Sequence, residues 1–282
     1  MSDWPIGLST GCFYQTSIFD CLETIRQGGF GKIEVCSFPA HLDYHDREAV
    51  ERAAQRIQEL GLEAYSFHAP FAERIDITAL DAGHRDFSQR EMLQAAESAA
   101  RLGVRYFVIH PGPERGGMPP AERFERFERA VMVLDTVARR CRELGMALVL
   151  ENMLPHLFSG HVRDLLWIMG ALSSTDVGCC LDTGHAALSG DLKTAVPKLS
   201  GHLWMLHVSD NRGQRDDHLP PGEGQISWDE LLGQLDRGGF HGAMILEIAG
   251  DHDRDRAMEA ARRGRAFLKE RARQLKIAAL GG

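Results

Sequence analysis

The chain has 282 residues, 44% of them hydrophobic and 26% charged, an ordinary balance for a soluble protein with a sizeable core. Its formal net charge of −8 gives no long-range pull on polyanions, and no run of Lys and Arg supplies a local basic patch. Nucleic acid and anionic membrane are therefore disfavoured as partners. No stretch approaches membrane-spanning length, and Met1-Ser2-Asp3-Trp4-Pro5 does not lead from basic residues into an apolar segment, so a cytoplasmic protein is expected. Six cysteines are scattered without CxxC spacing, and the adjacent pair Cys179-Cys180 should point to opposite faces of a strand. Reduced, buried thiols are expected rather than a disulfide framework.

In chain order, eight short apolar runs alternate with helix-like segments. The runs are Ile6–Thr10, Lys32–Cys36, Glu63–His68, Tyr106–His110, Ala147–Glu151, Gly178–Asp182, Leu203–Val208 and Ala243–Ile248. Most are nearly continuous in apolar residues, as parallel strands buried on both faces should be. Between them, Phe124, Phe127, Val131, Leu134, Ala138 and Cys141 recur every three or four residues, a helical stripe. Gly28-Gly29, Gly61, Gly103 and Gly145 close helical segments just before the next strand, which suits helix C-caps. Ser227-Trp228-Asp229-Glu230 has the form of a capping box. Strict alternation over the whole length, without a linker, predicts a single (β/α)8 TIM barrel occupying residues 1–282. The absence of a GxGxxG turn after the first run agrees with a closed barrel rather than an open doubly wound sheet.

The metal-capable residues gather at the ends of these runs. His68, His110, Glu151 and Asp182 end the third to sixth, His185 follows by three residues, and His207 and Glu247 lie near the ends of the seventh and eighth. In a parallel barrel all strand C-termini open at one mouth, so these residues should converge there. A lone His at a strand end is commonly a carbonyl cap. Glu151 and Glu247, each after four apolar residues, could instead sit in structural ion pairs. Several polar strand ends agreeing at once favour a metal site. The mixture of carboxylate and imidazole suits zinc or manganese, with cobalt, iron or magnesium as alternatives.

The ordered set His110-Pro111-Gly112, Leu150-Glu151-Asn152, Leu181-Asp182-Thr183-Gly184-His185, His207-Val208-Ser209-Asp210 and Asp216-Asp217-His218-Leu219-Pro220-Pro221-Gly222-Glu223-Gly224 resembles the motifs of the xylose-isomerase-like barrel superfamily. That group holds sugar and sugar-phosphate isomerases and epimerases, inosose-processing enzymes, and the endonuclease IV class of DNA-repair enzymes. The resemblance implies that Glu151, Asp182, His207 and Glu247 hold one metal ion and that His185 touches substrate oxygens. It also implies that His68, His110, Asp216 and His218 either bind substrate or complete the larger three-zinc set of endonuclease IV. Three details lean toward a sugar enzyme. Gly184 stands where endonuclease IV typically has Cys, Asn152-Met153-Leu154-Pro155 continues as in the sugar enzymes, and the loop Ser37–Asp43 lacks the cations that grip DNA phosphates.

The expected activity is thus metal-dependent isomerisation or epimerisation of a sugar, sugar phosphate or inosose by proton transfer through an enediolate. Glu151 and Glu247 are the expected proton carriers, and His185 orients a substrate oxygen. Trp4, Phe13, Phe38, Phe71 and Trp204 are candidates for apolar pocket walls, while Phe71 could also act as a wedge on a base. Gly222 and Gly224 read as a tight loop capped by Ser227 in preference to a phosphate cradle. His41, His45, His156, His161 and His252 carry no assigned role, and most are expected at the surface. The alternatives are an endonuclease IV-like phosphodiesterase acting on abasic DNA, an inosose dehydratase-type lyase, and a metal or sugar binder without turnover. Barrels of this group often associate as homo-oligomers, yet no residue here fixes such a state.

Overall fold

Eight parallel strands close on themselves in sequence order in the computed structural model, which describes residues 3–72, 74–250 and 253–280. The readings made above on Met1, Ser2 and His252 lie outside the described residues. The strands are β1 (Ile6–Ser9), β2 (Lys32–Cys36), β3 (Glu63–His68), β4 (Tyr106–Ile109), β5 (Ala147–Glu151), β6 (Val177–Asp182), β7 (Leu203–Val208) and β8 (Ala243–Leu246), with β8 pairing back onto β1. Helices α1 (Ile18–Gln27), α2 (Arg47–Glu59), α3 (Ala82–Leu102), α4 (Arg123–Glu143) and α5 (Val162–Ala171) follow β1 to β5 in turn. Two short helices, α6 (Thr183–Leu188) and α7 (Leu192–Leu199), follow β6, and α8 (Trp228–Arg237) and α9 (Arg254–Leu280) follow β7 and β8. This is the (β/α)8 TIM barrel that strand–helix alternation implies. Among the described residues, no helix is long and apolar enough to cross a membrane.

Strand geometry explains how continuous apolar runs yield a chemically specialised mouth. Successive side chains alternate between the barrel interior and the helix-covered outer layer. On β5, Leu148 and Leu150 join the outer core, while Val149 and Glu151 point inward. On β6, Cys179 packs outward with the helices and Cys180 inward, and all six cysteines are free and buried. The lower interior is an apolar plug of Tyr65, Tyr106, Val108, Val149, Cys180, Met205, Ala243 and Ile245. One inward step further along β4 to β8 gives His110, Glu151, Asp182, His207 and Glu247. On these five strands the upper layer of the interior is polar because the residues two positions beyond the plug are polar.

The boundaries hold to within two residues. β1, β4 and β8 stop at Ser9, Ile109 and Leu246, so His110 and Glu247 sit one position past their strands. Gly29, Gly61, Gly103 and Gly145 all adopt positive φ at helix ends, a conformation that costs glycine little.

Three local expectations are corrected. Ser227 precedes α8 but its side chain caps nothing, because its ψ of 79° falls short of the extended geometry that brings a hydroxyl over the first turn. Phe124 does not join the buried stripe of α4. It lies in the first helical turn, 64% exposed, against the edge of Trp167. His41 is buried, not superficial, with Nδ1 2.6 Å from the carbonyl oxygen of Thr16.

Candidate metal centre and active-site mouth

Four donors that the strands bring together from β5, β6, β7 and the residue after β8 form the centre of the mouth. One ligand atom from each of Glu151, Asp182, His207 and Glu247 lies within 4.8 Å of all the others. His207 Nδ1 stands 3.0 Å from Glu151 Oε1 and 3.4 Å from Glu247 Oε2, but it is out of line for a hydrogen bond with either. Asp182 Oδ2 is likewise buried without a partner, while Asp182 Oδ1 accepts from the His185 backbone N–H at 2.6 Å. Buried polar atoms left unpartnered are costly, and a cation held among these donors would offset that cost. Three carboxylates and one imidazole match the donor set of a divalent transition ion. The residues present therefore fit a metal.

Two further groups flank this centre. His68 Nε2 and His110 Nε2 each lie 3.2 Å from Glu151 Oε2. On the other side, Asp216 Oδ2 lies 3.2 Å from His185 Nε2 and 2.7 Å from His218 Nε2, and Asp216 Oδ1 is a buried, unpartnered acceptor. His68, Glu151 and His207 form one ligand-like group, and His185, Asp216 and His218 another. His218 is the only non-glycine residue with positive φ among the described residues, at +45°. A backbone held there against its preference is common where a side chain must be aimed.

Loop geometry holds these side chains in place. Asn152 bridges β5 and β6, donating to the Asp182 carbonyl at 3.1 Å and accepting from its N–H at 2.8 Å. His185 Nδ1 lies 2.9 Å from the Asn152 carbonyl oxygen, which fixes the ring facing Asp216. The long loop before α8 is organised by buried Asp210, which accepts from Gly222 N, Ile226 N and Trp228 Nε1 at 2.8–3.1 Å. These donors are consumed internally, so Gly222 and Gly224 form a tight loop rather than a phosphate cradle. It is Asp210, not Ser227, that ties it. A Cβ at Gly224 would meet Asp210 Oδ1 at 2.2 Å, which is why the position is glycine. At Gly184 a Cβ would approach Ser209 Oγ to 2.7 Å, so a side chain there would crowd the Asp216 side of the mouth.

The electrostatics pit burial against close pairing. Burial pushes Glu151 up, yet His207 and His110 hold it well below the ordinary carboxylate range. Burial dominates at Glu247, which rises to about 7 against the pull of His207. Burial pulls His110, His185 and His218 down, but Glu151 and Glu114, Asp182 and Asp216, and Asp216 respectively raise each to about 10. Without a metal ion, protons on imidazoles balance the carboxylates. A metal would replace them.

The mouth opens into a cavity of about 280 Å³. Its apolar wall is a ladder of Tyr14, Phe38 and Phe71, with successive ring centroids 5.2 Å apart, ending 5.0 Å from the His68 ring and 5.1 Å from His110. Met153, Leu154 and Leu157 also line the cavity. Phe38 and Phe71 thus sit where expected. Phe13 is instead buried in the core and is not among the residues that line the cavity. Trp4 and Trp204 belong to the opposite end of the barrel, because each stands at the beginning of its strand region: Trp4 Nε1 donates to the Phe240 carbonyl, and Trp204 packs on Tyr106. Tyr14, Glu114 and Glu34 were not singled out from sequence. Glu114 lies 2.5 Å from His110 Nδ1, and Glu34 lies 3.0 Å from His207 Nε2.

Comparison with known proteins agrees with the barrel fold. A family described as xylose isomerase-like TIM barrel matches residues 22–271. An uncharacterized protein of Methanocaldococcus jannaschii is 26% identical over 276 residues, covering 91% of this chain and 88% of the relative. A probable endonuclease 4 of Mycobacterium leprae is 24% identical over 214 residues, covering 72% of this chain and 77% of its own. Among solved structures, a D-tagatose 3-epimerase-like protein superposes with a TM-score of 0.81 at 24% identity, covering 94% of this chain and 98% of that one.

Proposed function

Because the chain belongs to the xylose isomerase-like TIM barrel family, we propose that it is a divalent-metal-dependent epimerase or isomerase of a small, unphosphorylated ketose or close polyol relative. The observation that carries this reading is the pairing of Glu151 and Glu247. The two carboxylates come from strand positions three strands apart, converge on His207 Nδ1, and both line the cavity. Glu151, Asp182, His207 and Glu247 would hold the ion, which when bound supplies the positive charge that acidifies a carbon-bound proton beside a carbonyl. Glu247, 16% exposed at its side chain, takes or returns that proton from the cavity side, and Glu151 serves the opposite face of the same carbon. His185, braced by Asn152, and His218 present Nε2 atoms beside Asp216 that orient substrate hydroxyls. The Tyr14–Phe38–Phe71 ladder covers the apolar face of the sugar and excludes water from it.

The absence of a phosphate group follows from charge. Among the described residues lining the cavity there is no Lys or Arg, whereas Glu114, Glu151, Asp216 and Glu247 all line it. A phosphomonoester would meet four carboxylates and no Lys or Arg to pair with it, and its charge would compete with theirs for the imidazoles and the ion. The test is turnover of a panel of free ketoses and their phosphates by metal-reconstituted protein. Conversion of free sugars with the phosphates at least tenfold poorer is expected, and preferred turnover of phosphates would refute the assignment.

A second reading, an endonuclease IV-like phosphodiesterase, is favoured by the two flanking ligand-like groups at His68–Glu151–His207 and His185–Asp216–His218. Three anomalous-scattering peaks in the mouth, together with nicking of abasic DNA, would select it over the sugar enzyme.

A further inference from the structure

Glu34 is a carboxylate with no surface exposure, placed in the middle of β2 between the outward-facing apolar residues Ile33 and Val35. Strand alternation turns it into the barrel interior. Its partners are few. Ser66 Oγ, from the neighbouring strand at the same register, donates to Oε2 at 2.8 Å. His207 Nε2 lies 3.0 Å from that same oxygen, and Oε1 has no partner. No Lys or Arg pairs with Glu34 among the described residues, so its burial is met by imidazole and hydroxyl alone, chiefly His207 and Ser66.

The same imidazole has two ends. Nε2 is held by Glu34, and Nδ1 faces Glu151 and Glu247 in the four-donor centre. A carboxylate on one ring nitrogen keeps the proton there, leaving the other nitrogen's lone pair available and the ring orientation set. We propose that Glu34 is the positioning residue of the metal centre: it fixes the tautomer and rotation of His207 so that Nδ1 is presented as a ligand, and Ser66 in turn fixes Glu34. This rests on reading Glu151, Asp182, His207 and Glu247 as a metal site. The arrangement also suits the buried charge, because an ion held beyond the imidazole would add, through His207, the positive charge that no Lys or Arg provides.

Cobalt(II) is the probe, titrated into metal-stripped protein under competition with a chromophoric chelator and followed by its visible absorption. Glu34→Ala should weaken cobalt binding by roughly 10- to 100-fold and alter the visible band, since His207 is free to rotate or change tautomer. Glu34→Gln keeps an acceptor for the Nε2 proton and should recover part of the affinity, and Ser66→Ala should lose only a few-fold. Ser66→Ala keeps the carboxylate, so it reports on the orientation even where Glu34→Ala fails to fold. A purely structural role would lower the melting temperature of the metal-free variants and leave affinity and spectrum at wild-type values, which would overturn the proposal. Wild-type protein that takes up no cobalt would overturn the metal-site reading and this inference with it. Wild-type uptake with unchanged variants overturns this inference alone.

Discussion

The two ends of the barrel interior are built from the same strands and differ in one respect. The lower layer is filled by Tyr65, Tyr106, Val108, Val149, Cys180, Met205, Ala243 and Ile245, a packed plug that satisfies itself. The upper layer, two residues further along, is filled by Glu151, Asp182, His207 and Glu247, whose buried atoms Asp182 Oδ2 and His207 Nδ1 lack partners. The strand pairing runs through both layers, with one register shift between Cys179 and Cys180 on β6. The difference teaches that stability and chemistry are separated by a single step of strand periodicity, with the plug supporting the site from below.

That separation predicts opposite responses to substitution. Asp182→Ala removes a donor and the α6 cap together, and should abolish metal uptake, read by elemental analysis, with activity falling below detection. Ile245→Ala, one layer down, should cost about 2–5 kcal/mol of unfolding free energy while leaving metal content unchanged. Loss of metal by the plug variant, or large destabilisation by an isosteric change at the mouth, would break the comparison.

A subtler consequence concerns protons. His110, His185 and His218 are raised to about 10 in the metal-free protein, so any of them recruited as a ligand must first lose its proton. Metal binding should therefore release protons and tighten as pH rises, which calorimetry in buffers of different ionisation enthalpy would measure. Release confined to the equivalent of His207 would mark a single-ion centre. Release from the flanking groups too would mark several ions.

The smallest effect lies outside the mouth. Burial holds the His41 pKa below its ordinary value, against hydrogen bonds to Thr16 and Phe13 carbonyls. The unfolded chain then binds a proton at higher pH than the folded one. His41 should therefore cost stability progressively as pH falls through the ordinary imidazole pKa of about 6.5, with no penalty above it. His41→Gln should flatten that part of the urea-denaturation profile by no more than about 1–2 kcal/mol between pH 7.5 and 5.

The barrel and the polar strand ends were legible because both depend on local order: apolar runs of strand length, and a charged or imidazole side chain at or near the end of the third to the eighth. What escaped was set by three-dimensional context. Glu34 sits inside Lys32–Cys36, two places short of the strand end, so the rule that found Glu151 passed over it. Its signal was a carboxylate within a buried run, the same oddity that marked Glu151. Trp4 and Trp204 look like pocket aromatics by type, yet their position at strand beginnings puts them at the far end. Glu114 and Tyr14 lie on loops whose course no periodicity encodes, and the Ser227 box failed because spacing does not set ψ. The flanking histidines were found, but their division between substrate and metal is a matter of which cation arrives, and side-chain type alone is silent on that.

If Glu151 and Glu247 exchange a carbon-bound proton of a metal-held ketose, as proposed, the product carries the record of that exchange. Metal-reconstituted protein should be incubated with its best free ketose in deuterated water and the product examined by mass spectrometry and NMR. Solvent deuterium at the carbon beside the carbonyl is expected. The rate should fall by roughly a hundredfold or more in Glu151→Gln and Glu247→Gln variants whose metal content has been verified. Product formed without solvent deuterium, or one Gln variant retaining nearly full rate, would contradict the account.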